Sequence, residues 1–470
     1  MYPWLHRLLG RRLTDGNRPA KDVERWLREG YRQLQAGEPG KAARLCRKVL
    51  AVQPDNAFAH NLHAVLAHRA GNTMEAVTRL EQAIRLNAGV PDFHFNLGVA
   101  LQASERHADA AAAYRRALAL QPRHVGALTN LGRAFQKQAQ PREAIVCFER
   151  ALALKPDLPE AHWGLATQRL LLGDFARGWE EYEHRWALPE NQGLRREFAA
   201  PRWDGADIAG RTILLHVEQG IGDTLQFVRY APLLAHRGAH VIVLCQPPLK
   251  RLLMEMDDVS VVADGEPLPG FDLHLPLMSL PRLFGTTLAT IPADVPYLRA
   301  DPVDVRAWNG KLGDKNHFKI GLVWAGNRRH LNDRNRSCTL AALAPLADVS
   351  GIRLYSLQKG EAAAEIRNAP TNMDFADLNG ELVDFADTAA VITCLDLVIT
   401  VDTAVAHLAG ALARPAWLLL PFAPDWRWML AREDSPWYPS LRLFRQNQAG
   451  DWGGVLTAVI NALRQRMSVT

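Results

Sequence analysis

The sequence predicts an α + α/β protein, with an N-terminal solenoid of helical repeats followed by two α/β lobes built on parallel sheets. Three observations carry this reading. Matching residues recur every 34 positions over the first third of the chain. After Trp186 the pattern changes to alternating strand, loop and helix. In that second part, two strand-to-helix turns are built from Gly, Asp and Thr.

The repeat comes first. Gly30, Ala64, Gly98 and Gly132 stand at a step of 34, as do Ala42, Ala76, Ala110 and Ala144. Cys46, Leu80, Tyr114 and Phe148 form a third ladder, and Pro54, Ala88, Pro122 and Pro156 a fourth. This is the tetratricopeptide pattern: a small residue in helix A, Ala and then a larger residue in helix B, and Pro at the closing turn. Small residues let paired helices approach, and Pro ends helix B because it cannot continue the hydrogen-bond ladder. A fifth unit from near Glu160 departs from the pattern, with Gly178 where Ala is expected, then Trp179, Tyr182 and Trp186. Trp179 and Trp186 are expected to pack onto the next domain, since terminal repeats often dock. The arm spans residues 22–187, after an N-terminal extension of residues 1–21. His60, His63 and His68 fall at variable helix positions and read as surface or groove histidines, not as a metal site.

Residues 188–210, rich in Pro, Gly and charge, read as a linker. A first lobe, 211–300, begins with a strand from Thr212 to Val217, a glycine turn to Asp223 and a helix from Leu225 to Arg237 ended by Gly238. Further strands are expected at His240 to Cys245, Val259 to Ala263 and Phe271 to Leu275. Residues 301–317 read as an interlobe linker. A second lobe, 318–465, has strands at Lys319 to Trp324, Arg353 to Leu357, Leu397 to Val401, Ala416 to Leu420 and Leu441 to Phe444, with a small-residue helix from Ala404 to Ala413. Both lobes are Rossmann-like, and ligands of such sheets bind at the C-terminal strand ends.

Composition narrows the function. A formal net charge of +5 over 470 residues is too small and scattered to indicate nucleic acid. The 5 cysteines are unpaired in spacing, which fits a reducing, cytoplasmic setting. The N-terminal run MYPWLHRLLG is too short for a secretory signal and is compatible with a membrane-surface contact. No stretch approaches a membrane span.

Two turns are candidate sites. In Gly220-Ile-Gly222-Asp223 the glycines permit close backbone approach to a ligand at a helix N-terminus. On local sequence alone Asp223 reads first as a helix cap. In Asp402-Thr403-Ala404-Val405-Ala406-His407, a helix N-terminus, a Thr hydroxyl and a His donor suit a diphosphate, and a plain cap with a packed His is the alternative. The loop Asn327 to Ser337 carries four arginines, whose forks suit phosphate oxygens. Lys359 is a further donor candidate. The run Pro424-Asp-Trp426-Arg427-Trp428 fits either stacking on a base or sugar or core packing. No two aspartates are spaced as DxD, so no such pair is present to hold a divalent ion on a nucleotide diphosphate.

GIGD at the first turn together with DTAVAHLAGAL resembles the heptosyltransferase family, glycosyltransferase family 9. The layout, with VDTAVAHLAGALARP and PFAPDWRW, is similar to bacterial tetratricopeptide-repeat glycosyltransferases and, in architecture, to O-GlcNAc transferase. The likeness covers residues 22 to 465. It implies a GT-B fold, inversion at the sugar carbon, no metal and no cofactor beyond the nucleotide-sugar substrate. By position it implies Asp223 as general base, with Thr403, Ala404 and His407 at the donor diphosphate. Arg336 takes the place of a family lysine, and Ala404 that of the family's usual glycine. Gly220, Gly222, Lys359 and Asp402 complete the expected donor side. The arm is expected to hold a protein or other large acceptor, with homo-oligomer formation as the competing use of its groove. An inactive scaffold and a nucleotide-sugar epimerase are the alternatives to a transferase.

Overall fold

The computed structural model describes residues 18–313, 316–330, 332–370, 373 and 375–468. The membrane contact expected at the N-terminus falls on residues outside this range. The chain separates into two compact units, Met1–Leu165 and Ala166–Thr470. The second therefore begins inside the stretch 22–187 read as the arm.

The first unit pairs Arg18–Gln35 with Pro39–Val52, Ala57–Arg69 with Thr73–Leu86, Pro91–Ala103 with His107–Leu120, and Val125–Lys137 with Pro141–Leu154. The sequence ladders are its packing. Cys46, Leu80, Tyr114 and Phe148 are all buried. A Cβ on Gly98 would stand 2.4 Å from Tyr114 Cε1, and one on Gly132 2.7 Å from Phe148. Gly164 would collide with the same Phe148 ring at 2.4 Å, so this ring needs a glycine on each of two successive A helices. Helices B end two residues before Pro54, Pro122 and Pro156. His60 is buried, its Nε2 bonded to the Pro54 carbonyl at 2.8 Å, and His63 pairs with Glu75 at 3.0 Å.

The second unit holds two parallel sheets. β1 Thr212–His216, β2 His240–Cys245, β3 Val259–Ala263 and β4 Leu273–Pro276 run in the order β3-β2-β1-β4. β5 Phe318–Val323, β6 Ile352–Ser356, β7 Phe375–Asp377, β8 Leu397–Val401, β9 Ala416–Leu420 and β10 Leu441–Arg445 run in the order β10-β9-β8-β5-β6-β7. That second order is the doubly wound one, and its direction reverses between β5 and β8, where Ile320 pairs with Leu397. β8 and β9 are buried throughout, as parallel strands covered on both faces must be.

Two expectations need correction, and one strand was not foreseen. The helix expected over Leu225 to Arg237 starts earlier, at Ile221, and breaks into Ile221–Phe227, a 3-10 turn Val228–Tyr230 and Ala231–Ala235. Pro232 causes the break, because it has no N–H for the Val228 carbonyl and its ring crowds that oxygen. The stretch 301–317, read as a linker, contains the helix Pro302–Leu312. Asp301 caps it by accepting the Val303 N–H at 2.7 Å, Pro302 opens it, and Gly313 closes it at φ +57°. The short edge strand β7 was not foreseen. Among the described residues no helix is long and apolar enough to cross a membrane.

Candidate functional site

The chain leaves β1 through Val217, Glu218 and Gln219 and enters the helix Ile221–Phe227 with Gly220 at its N-cap. Asp223 is therefore the third helical residue and not the N-cap. Its Oδ2 accepts the Gly220 N–H at 2.8 Å, so the capping alternative is realised on one oxygen. The other oxygen, Oδ1, is bound by Arg427 Nη2 from the loop after β9.

Gly222 does something other than expected. It opens no space for a ligand, because a Cβ there would stand 2.8 Å from His407 Cδ2 and 3.6 Å from Ala404 Cα. The glycine lets the helix Ile221–Phe227 lie directly against the helix Ala404–Ala411, which follows β8.

Thr403 is the N-cap of that second helix, but its hydroxyl meets Thr400 Oγ1 at 3.1 Å and makes no cap bond. The N–H groups of Ala404 and Val405 have no intrahelical partner. His407 is buried with its Nδ1 on Tyr438 Oη at 2.9 Å and its ring centroid 5.3 Å from that of Trp428. Its Nε2 has no hydrogen-bond partner among the described residues. Burial, reinforced by Arg427, Arg229 and Arg336, holds its pKa well below the ordinary value, so the ring is neutral. Gly410 makes room for Tyr438, since a Cβ there would be 2.3 Å from Tyr438 Cδ1.

Charges collect around this pair of helices. Arg427 is anchored by Asp425 Oδ1 through Nη1 at 2.8 Å and by Gln226 Oε1 through Nε at 2.6 Å, with its guanidinium 4.3 Å over the Trp426 ring. Burial, only partly offset by Arg427, raises the Asp223 pKa. Burial and the nearby Asp425 push Asp402 up to about 6. After β5, Gln358 Oε1 accepts the Trp324 and Ala325 N–H groups at 3.0 and 2.9 Å and sets the loop. Arg336 lies over Gly326, where a Cβ would come 2.6 Å from Nη2, and its charge reaches both Asp402 and His407. His330, on the same loop, faces Asp223 and Asp425 and is held below its ordinary pKa by burial.

The structure thus brings Gly220, Gly222, Asp223, Arg336, Asp402, Thr403, Ala404 and His407 together. Lys359 is not among them. Its ammonium is held by the carbonyls of Asn379 at 2.5 Å and Leu382 at 2.9 Å, where it ties a loop. Trp426 and Trp428 are buried in packing, which decides against stacking on a ligand. Trp179 is buried edge-on to Trp426 at 5.2 Å, as docking required, while Trp186 lies beneath the Arg185 guanidinium at 4.7 Å.

Sequence reasoning missed Arg427 as a partner of Asp223, and it missed Arg185 with Glu218. Arg185 is fully buried and grips Glu218 with two bonds of 2.7 and 2.9 Å, fixing the loop that leads into the glycine turn. No local signal marks either pair, whose members are 204 and 33 residues apart.

Residues 62–125 and 125–158 match two tetratricopeptide-repeat models, and residues 340–419 match glycosyltransferase family 9 (heptosyltransferase). The chain thus combines tetratricopeptide repeats with a segment similar to glycosyltransferase family 9. The family match takes in Asp402 to His407 and stops short of Arg427. Protein FlbA of Caulobacter vibrioides (strain ATCC 19089 / CIP 103742 / CB 15) is 26% identical over 332 residues, 66% of this chain and 55% of FlbA. The chain thus spans about half the length of that relative. Among solved structures, the crystal structure of MamA is 20% identical, covering 35% of this chain and 97% of MamA with a TM-score of 0.32. Pseudomonas aeruginosa pilF is 20% identical, covering 38% and 82%, with a TM-score of 0.35. The architecture rests on the repeats and sheets described above.

Proposed function

We propose that this is a metal-independent inverting glycosyltransferase of GT-B type. It moves a sugar from a nucleotide-sugar donor to a protein or other large acceptor held by the repeat arm. One observation carries the reading: a carboxylate at the N-terminus of one helix, Asp223, faces the open N-terminus of a second, Thr403 to His407, across the Gly222–His407 contact. An acceptor hydroxyl gives its proton to Asp223 as its oxygen bonds to the anomeric carbon from the face opposite the leaving group. The bond from that carbon to the donor phosphate breaks, and its electron pair leaves with the nucleotide. The Ala404 and Val405 amides, the Thr403 hydroxyl, the His407 Nε2–H and the Arg336 charge meet that negative charge. Tyr438 donating to His407 Nδ1 would place the ring proton on Nε2 for this purpose.

Free thiols at Cys46, Cys147, Cys245, Cys338 and Cys394 support a cytoplasmic setting. The test is nucleotide release from a panel of UDP-, GDP-, ADP- and CMP-sugars, with and without excess EDTA. The wild type is expected to turn over at least one donor at an EDTA-independent rate, and Asp223→Asn to lose turnover while still binding the nucleotide. Asn keeps an acceptor for the Gly220 N–H, so near-normal activity in that variant would reduce Asp223 to a cap. Sugar inversion without transfer would favour an epimerase.

A further inference from the structure

The Asp223 carboxylate is held by two different lobes. Gly220, its own N-cap, supplies one hydrogen bond to Oδ2 at 2.8 Å, and Arg427, from the loop after β9, binds Oδ1. Arg427 cannot swing away freely. Asp425 takes Nη1 at 2.8 Å and also the Arg427 backbone N–H at 3.0 Å. Gln226, fully buried and one helical turn after Asp223, takes Nε at 2.6 Å, and the Trp426 ring lies against the guanidinium face. Every nitrogen of the fork thus has a fixed partner. Each Asp223 oxygen accepts one hydrogen bond, which leaves each a further lone pair for an incoming hydroxyl.

We propose that Arg427 is the positioning residue for Asp223: it fixes which edge of the carboxylate meets the acceptor, and Asp425 balances its charge so that Asp223 stays a usable base. The proposal rests on the reading of Asp223 as the base. It adds that the second lobe, through Arg427, aligns a base carried by the first, so base and donor site come into register together.

Asp425 is needed for this division of charge. Alone, an arginine on the carboxylate would depress its basicity. With Asp425 on the same guanidinium, the two carboxylates share one positive charge, and burial, with Asp425 adding to it, lifts Asp223 above its ordinary pKa. The other groups facing Asp223 are His330 from the loop after β5 and Tyr182 from the Phe175–Tyr182 helix. His407 lies beside Gly222, with Arg336 and Asp402 behind it.

The experiment follows the pH dependence of nucleotide release from the UDP-, GDP-, ADP- and CMP-sugar panel by the full-length chain and the variants Arg427→Gln, Arg427→Lys and Asp425→Asn. Arg427→Gln is expected to lower kcat at least tenfold with KM for the nucleotide sugar within about threefold. It should also move the acidic limb up by roughly one pH unit, as expected when an opposite charge is withdrawn from a carboxylate. Asp425→Asn is expected to move the same limb down. Arg427→Lys, which keeps the charge without the fork, should restore the limb but not the full kcat. A merely structural anchor would lose activity in all three variants with the limb unmoved, and that result overturns the proposal. Equal shifts in one direction for the Arg427→Gln and Asp425→Asn variants overturn it as well. Asp223→Asn separates the two levels of argument: if it retains turnover, the base assignment itself fails, whereas its loss with an unmoved limb in the other variants leaves the base and removes only Arg427.

Discussion

Gly222 sits so close to His407 that a Cβ on it would stand 2.8 Å from Cδ2 and 3.4 Å from Nε2. The ring cannot give way, since the tilted Trp428 ring packs beside it and Tyr438 holds Nδ1 at 2.9 Å. Gly222→Ala is therefore expected to cost about 1–3 kcal/mol, the usual scale of overpacking. Gly220→Ala is the control. Gly220 has an ordinary φ of −71°, and its added methyl meets only Asp223 Oδ2, at 3.2 Å. It should cost less than Gly222→Ala, about 0.5–1 kcal/mol, the scale of placing Ala for Gly at an N-cap. Urea unfolding of the two variants decides, and equal midpoints would contradict the packing role.

The contrast between these glycines shows what a sequence can and cannot convey. The 34-residue ladders were legible because each rung is one repeated local contact, Gly98 on Tyr114 being the same event as Gly132 on Phe148. Most strands were legible from short apolar runs bounded by turns. The helix Pro302–Leu312 carried its cap and stop in plain view, yet its weak apolar periodicity hid it among charged residues. The turns carrying Asp223 and His407 were recognisable, but Gly222 serves a helix contact and not a ligand, because its neighbour is 185 positions away in the chain. Lys359 shows the converse: a cation after a strand is an equal match for a loop carbonyl and a phosphate, and only the fold decides.

Asp402 should make the protein more stable in mild acid than its other carboxylates would suggest. Its folded pKa is raised from 3.8 to about 6, so the fold favours the protonated form. That stabilisation is fully present below the unfolded value and is lost as pH rises through about 4 to 6. Asp402→Asn removes the penalty, and its Tm is expected to exceed that of wild type at pH 7.5, with the gap closing by pH 4. A Tm gain of the same size at both pH values would show that the substitution acts through something other than charge.

Nucleotide affinity should depend on the second helix terminus. Under the proposed function, His407→Ala and Thr403→Val each weaken binding of the nucleoside diphosphate released from the productive donor by about 1–3 kcal/mol, the scale of a hydrogen bond to a charged group. The histidine is neutral in the fold, so its contribution should persist unchanged from pH 6 to 8. Calorimetry on folded variants checks both points. Unaltered affinity would mean that His407 only packs between Gly222 and Trp428.

The arm offers the last prediction. The compact unit Ala166–Thr470 contains both sheets, the docking aromatics Trp179 and Tyr182, and the Arg185–Glu218 pair that sets the glycine turn. Every residue assigned to the proposed donor site lies within it. Repeat solenoids spread binding over an extended surface and suit large partners. A chain beginning near Asp157, which leaves the Pro159–Leu171 helix whole, is therefore expected to keep donor binding and slow nucleotide release within about twofold of wild type, since no contact to the donor is lost. Transfer to a protein acceptor should fall at least a hundredfold, because the acceptor loses the effective concentration that tethering on the arm provides. Labelled sugar incorporation into a cell extract, compared between the two chains, gives the readout. If the shortened chain labels the same acceptors at the full rate while its mass in light scattering falls by a whole multiple, the repeats serve self-association and the acceptor is recognised by the α/β unit alone.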